Sequence, residues 1–411
     1  MDNRYVTPAA YKKSYMAFIG IGVLTLILGF VFLNPFAGAH GDNVNSTRFW
    51  AGLLQNSTYF LMIVNVALFF IVISTLAMGG WQIAFRRVNE AIASLVPIMA
   101  VLTFIILLCI ILGNRSDIYH WLDKEAVAHD ELLNHKKGFL NSWVFLGFSF
   151  VVLFLWSYIG KKINKLSLES DEMGPMDFDT AKKWTAKNMT WSAYYIVLYL
   201  LSVASILPWL WLMSIDPHWY STMYSWYTFA STFVAGIALM TLFVVYFKNQ
   251  GQLEFVNKEH LQDLGKFMFA FSIFWTYLWF DQFMLIWYGN IPEETVYFKP
   301  RLQGMYKGIF YLNLIINFVA PFLIFMKAAA KRNYTIVTFV SIIIIFGHWI
   351  DFYQMVMPGT VYNNPHLSWF EFGIALGFVG VIMWGVSRFA SRTPMTAMNN
   401  PFLKESIIHH V

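Results

Sequence analysis

The 411-residue chain has one cysteine, Cys109, and it lies in an apolar run. A single thiol excludes an intrachain disulfide, a cysteine-rich zinc site, an iron–sulfur cluster and a c-type haem attachment. Of the ten histidines only His348 lies well inside an apolar run, which also excludes a haem b held between two histidines. Any electron carrier must then sit on another chain or diffuse in from the lipid. Charge is scarce as well: Asp, Glu, Lys and Arg make up 12% of the residues, where a soluble domain has about a quarter. In their place the chain is 58% hydrophobic and 19% aromatic, the composition of an all-α polytopic membrane protein. In such a chain the net charge of +5 speaks to topology, and nucleic-acid binding is not implied.

Ten apolar runs are long enough to cross about 30 Å of hydrocarbon, near 15–33, 57–78, 91–112, 140–159, 189–213, 220–247, 267–288, 309–326, 335–356 and 370–384. The first has Lys12 and Lys13 before it and Ala37, Gly38 and Ala39 after it, as a cleaved leader would. Its apolar stretch is longer than a leader core, so it reads as a true span. The chain is thus one membrane domain: spans one to four over 15–160, a polar linker over 161–188, and spans five to ten over 189–384. Of the 28 Lys and Arg residues, 20 fall on the side shared by the two termini, so the positive-inside rule places both termini in the cytoplasm of a bacterial inner membrane. The opposite, periplasmic face carries loops near His40 and at 118–137, 216–219, 291–307 and 358–368. In the second of these, Ile118, Leu122, Ala126, Leu132 and Leu133 recur at helical spacing among charges, which predicts an amphipathic helix lying on the membrane or under a partner. His120, His129 and His135 in the same loop lack a ligand spacing such as i, i+4, and no metal is expected.

Three ionisable residues stand inside apolar runs: Asp281 in span seven, and His348 and Asp351, three apart and so on one face of span nine. A charge at such depth costs roughly 2.5 to 3.5 kcal/mol and is rarely left without a partner or a water-filled cavity. At 1.5 Å of rise per residue, Asp281 lies about 22 Å and His348 and Asp351 about 20 and 24 Å from the cytoplasmic ends of their spans. Asn313 and Asn317, four apart in span eight, and Ser225, Thr228, Ser231 and Thr232 in span six fall at the same level. The cytoplasmic halves, 267–274, 320–325 and 336–345, are nearly all apolar. Pairing between helices would not need this one-sided clustering, so a cavity open to the periplasm is the reading, with Asp281, His348 and Asp351 as a proton relay or quinone site. Glu293, Glu294 and Glu371 stand at its mouth and could pass protons between cavity and bulk. Trp275, Tyr277, Trp279, Phe280, Trp287 and Tyr288 crowd the helix that carries Asp281, and Trp279, Trp287 and Tyr288 would wall a flat ring ligand such as a quinone.

The runs DPHWYSTMYSWY (216–227), FWTYLWFDQFMLIWYGNIPEE (274–294) and GHWIDFYQMVMP (347–358) resemble the second quinone-binding-type membrane subunit of bacterial alternative complex III, the subunit lettered F, within the wider NrfD and polysulfide-reductase membrane-subunit group. The resemblance extends over essentially the whole chain. It implies two four-helix bundles, spans two to five and six to nine, flanked by the first and last helices. It further implies a subunit of a quinol:cytochrome c or quinol:electron-acceptor oxidoreductase that uses menaquinol or ubiquinol. Its partners would be a homologous quinone-binding membrane subunit and periplasmic multihaem and iron–sulfur subunits that carry the haems and clusters.

Two other readings compete. A passive anchor for periplasmic subunits would leave the polar residues functionally silent. A secondary transporter would show helices broken at the midplane in corresponding halves, and Pro208 and Pro321 are the only prolines deep in spans.

Overall fold

In the computed structural model, which describes residues 4–37, 44–362 and 366–410, the chain is all helical and has no strand among those residues. Ten helices are long and apolar enough to cross a membrane, and the chain is a multi-pass membrane protein. They are Ala9–Phe32, Val44–Leu76, Gly80–Leu112, Ser142–Met173, Phe178–Ile215, Met223–Asn249, Lys258–Gly289, Gly304–Phe325, Tyr334–Thr360 and Trp369–Ala390, called here spans one to ten. The loop near His40 lies outside the described residues.

The helices overrun the apolar runs at polar ends. Span two starts at Val44, thirteen residues ahead of its apolar run, and span four continues through the expected linker to Met173. The polar stretch 161–188 is therefore helical at 161–173 and at 178–188. Only 174–177 separate the two helices, at Gly174 with its positive φ of 69° followed by a proline that cannot continue a helix. Side-chain caps fix other starts: Asn141 caps span four, Asn333 caps span nine, and Asn257 with His260 and Ser368 with Glu371 form capping boxes on spans seven and ten. Asn290, in the left-handed conformation, ends span seven.

Spans two to five pack in a closed ring, as do spans six to nine, and spans two, six and nine join the two rings. This is the paired four-helix architecture that the resemblance implies. Spans two and six are almost wholly buried at the seam. Spans one and ten pair with each other and lean on spans two and three. Their backbones touch at Gly22 and Gly377, where a Cβ on Gly22 would collide with the opposing Cα. Both chain ends meet at one end of the bundle: Tyr5 bonds Tyr246 at the close of span six (2.6 Å), and His409 bonds Asp263 at the start of span seven (2.7 Å). We call this the termini end and the opposite one the far end.

The expected amphipathic helix at the far end is two short ones, Lys124–His129 and Glu131–Lys136. Asp130 breaks it, because its side chain caps the second helix by accepting from the Leu133 amide at 3.0 Å. That bond and His218, 2.5 Å away, hold the Asp130 carboxyl below the usual carboxylate range.

Neither deep proline breaks its helix. Pro208 and Pro321 have no N–H for the carbonyls of Ala204 and Asn317, and those two residues sit in the middle of π turns, Ser202–Ile206 and Ile315–Val319. These two spans widen and continue, whereas span three is interrupted at Ser94 and Leu95, between Arg86–Ala93 and Val96–Leu112.

Candidate functional site

The far half of the second ring is built around the carboxylate of Asp351, which is fully buried and receives hydrogen bonds from three neighbouring spans. Its Oδ1 accepts from the Tyr227 hydroxyl of span six and from Asn313 Nδ2 of span eight (2.7 Å). Its Oδ2 accepts from Ser231 Oγ of span six (2.7 Å) and from Trp275 Nε1 of span seven (2.9 Å). Four donors fill the acceptor capacity of an ionised carboxylate.

Ser231 Oγ also lies 2.9 Å from Nδ1 of His348. Since the Ser231 hydrogen is given to Asp351, its oxygen accepts from His348 Nδ1–H, and this assigns the histidine tautomer. The result is a chain His348 Nδ1–H, Ser231 Oγ–H, Asp351 Oδ2 across one turn of span nine. His348 is fully buried, its ring stands edge-on to Trp275 at 5.3 Å, and its Nε2 has no partner. Asn317 Nδ2 donates to Asn313 Oδ1 at 2.5 Å, extending the network along span eight. Gly347 makes room for it: a Cβ there would collide with Asn317 Oδ1. Behind the site span two contributes Tyr59, whose hydroxyl donates to the Ile345 carbonyl (2.6 Å), and Gln55, whose Nε2 donates to the Trp349 carbonyl (3.2 Å).

Between this cluster and the far end lies a cavity of about 20 Å³, lined by Tyr227, Trp279, Gln282, Arg301, Asn313 and Gln354 among others. A water needs roughly 10–15 Å³ and polar partners, and Gln354 Oε1 is buried there without one. Arg301 stops the far side of the cavity, buried and bonded to the carbonyls of Gln354 (2.9 Å), Tyr297 (2.5 Å) and Met355 (3.1 Å), with Asp216 at 3.5 Å. The Tyr297 ring is sandwiched between the Arg301 guanidinium (3.4 Å) and Trp219 (4.0 Å). Burial pushes the Tyr297 hydroxyl above its ordinary range, against the pull of Arg301.

The structure thus joins His348, Asp351, Asn313 and Asn317, and it corrects four other expectations. Asp281 is half-buried on a different face of span seven and bonds to none of the cluster. The inward stripe of that helix runs Met268, Ser272, Trp275, Trp279, Gln282, Ile286, and Asp281 stands about 100° away from Gln282. Glu371 is buried in a structural role, paired to Arg48 at 3.1 Å and accepting from the Ser368 amide at 2.9 Å. Glu293 and Glu294 lie in a surface turn, Pro292–Thr295, apart from the cluster. Of the expected quinone walls, Trp279 lines the water-sized cavity, Trp287 borders an open groove of about 450 Å³ at the far end, and Tyr288 is 85% exposed. A second groove, of about 370 Å³, lies under Lys136 between Trp209 and Trp219. Neither groove reaches Asp351 or His348.

Residues to which the sequence reading gave no polar role complete the site. Tyr227 and Trp275 bond Asp351 directly but were hidden among many aromatics, while Arg301 and Asp216 come from loops. A second buried ionic group, Arg86, Arg87 and Glu90 at the start of span three with Asp171 of span four, was also missed. Its signal was the opposite charges at i, i+3 and i+4. No family model matches the chain, and no curated protein matches it.

Proposed function

We propose that this chain is the proton-exchanging membrane subunit of a quinol-oxidising electron-transfer complex. The observation that supports the reading most is the buried His348–Ser231–Asp351 chain beside a water-sized polar cavity, in a ring whose opposite half is apolar. A proton reaching His348 Nε2 can be matched by transfer of the Nδ1 proton to Ser231 and of the Ser231 proton to Asp351, with the Tyr227 hydroxyl and cavity water linking onward. The redox part of the proposal rests on the resemblance of the three long motifs. With both large grooves away from the cluster, quinol turnover and the haem and iron–sulfur carriers are assigned to partner subunits.

The test is His348→Gln in the intact complex. Glutamine can keep a donor toward Ser231 but cannot take up a proton at neutral pH. The expected result is normal assembly with proton-coupled turnover lowered by about 100-fold. Full turnover with unchanged proton release would favour the second reading, an internal clasp, which the four filled acceptor positions of Asp351 support.

The proposed orientation puts the termini end in the cytoplasm and the cavity toward the periplasm, on the strength of the 20 Lys and Arg on the termini side. A reporter fused to the C-terminus is expected to be active only if it works in the cytoplasm. Activity of a periplasm-only reporter there would reverse the assignment.

A further inference from the structure

Asp281 lies eight residues before the end of span seven at Gly289, about 12 Å along the helix axis. Around it on the outward side are Tyr277 (59% exposed), Phe280, Leu285 and Tyr288, an apolar surface of the kind that faces lipid. The carboxylate itself reaches the protein surface and has no hydrogen-bond or ion-pair partner among the described residues. Arg48, His348, Asp351 and Glu371, four charged or titratable groups set inside spans toward the far end, are buried and bonded within the chain, whereas Lys307, in the first turn of span eight, is exposed. A carboxylate left against acyl chains carries a desolvation penalty that neither its surroundings nor the short Asp side chain can relieve. Lipid amines lie farther out, at the headgroup level.

We propose that the outward face of span seven around Asp281 is an interface for a transmembrane helix of a partner chain that presents a lysine or arginine to Asp281. Charge complementarity names the occupant. An apolar helix would leave the carboxylate as costly as lipid does, whereas a cationic side chain in the same low-dielectric layer needs an anion as much as Asp281 needs a cation. The aromatic neighbours supply flat contact area around the pair, and the partner's own apolar surface covers them.

The experiment is Asp281→Leu, with Asp281→Glu as the conservative control, in the complex extracted from its membranes in mild detergent. Leucine suits a lipid-facing position, so the chain itself is expected to accumulate and unfold at the same temperature or higher. The partner chain should co-purify at a tenth of its normal amount or less, and Asp281→Glu should retain it. Retention of every partner by Asp281→Leu would overturn the proposal. Should Asp281→Leu fail to accumulate, Asp281→Asn, which keeps the shape without the charge, decides in the same way: loss of the partner supports the pair and retention overturns it. Assembly is read here without turnover, so this result and the proton-release result fail independently.

Discussion

Asp351→Ala is expected to be the most damaging single substitution in the second ring, lowering stability by about 4 kcal/mol or more and abolishing proton-coupled turnover. The carboxylate is the common acceptor of Tyr227, Asn313, Ser231 and Trp275. Removing it leaves four buried donors on spans six, seven and eight without a partner, and each such group costs about 1–3 kcal/mol, though the costs do not simply add. Water could refill part of the space, and that is why the estimate is set below the sum. Asp351→Asn tests the chemistry more gently. Its oxygen can accept two of the four bonds, but its amide then points two hydrogens at two donors whichever way it turns. An intermediate loss is expected. Asp281→Asn, by contrast, should change the stability of the isolated chain by less than about 1 kcal/mol, because no bond within the chain depends on it. Thermal unfolding of the three variants in detergent gives the order. Equal, small losses at 351 and 281 would show that the four bonds do not hold the ring together.

That order could not have been written from the sequence, although much of the architecture could. The ten spans were legible because a hydrocarbon layer requires long apolar runs, and nothing else in the chain produces them. Their ends were not, because helices such as Val44–Leu76 and Ser142–Met173 continue on capping and packing where hydropathy stops. His348 and Asp351 stood out as ionisable groups in an apolar run, and their spacing of three put them on one face. Asn313 and Asn317 were found through depth. The same signal misplaced Asp281, because depth along a helix says nothing about azimuth. The helical stripe through Trp275, Trp279 and Gln282 held that information, with Gln282 as the inward polar residue. Tyr227 and Trp275 were invisible as ligands because an aromatic ring in a membrane span has a sufficient explanation in apolar burial, and only geometry reveals where its O–H or N–H goes. Glu371 looked like a mouth residue because its partner, Arg48, lies 323 positions away in the chain. A pairing at that separation leaves no local pattern to read.

The ionic group at the start of span three yields the other large effect. Arg87 is fully buried; its Nη1 lies 2.6 Å from Glu90 Oε2, its Nη2 lies 2.5 Å from Asp171 Oδ2, and it also donates to the Ser167 carbonyl at 3.2 Å. Arg86 holds the other oxygen of Glu90 at 2.8 Å. Arg87→Met should therefore destabilise the chain by about 3–5 kcal/mol, since it leaves Glu90, wholly shut from solvent, with one cation and cuts the tie from span three to span four. Much of that loss is the cost of a stranded charge, and little of it measures the worth of the pair. Removing the whole buried set should thus recover most of it: in Arg86→Met/Arg87→Met/Glu90→Leu no fully buried charge remains in the group, and Asp171, 22% exposed, can turn to water. The two variants separate cohesion from chemistry, because this group sits at the termini end, away from Asp351. If the triple variant unfolds near the wild-type temperature and turns over normally, the charges serve only to hold spans three and four in register. If it is equally stable but inactive, protons or water pass by Glu90 as well, and the first ring has a working site of its own. A triple variant no more stable than Arg87→Met would show that the group is worth more as a network than desolvation allows.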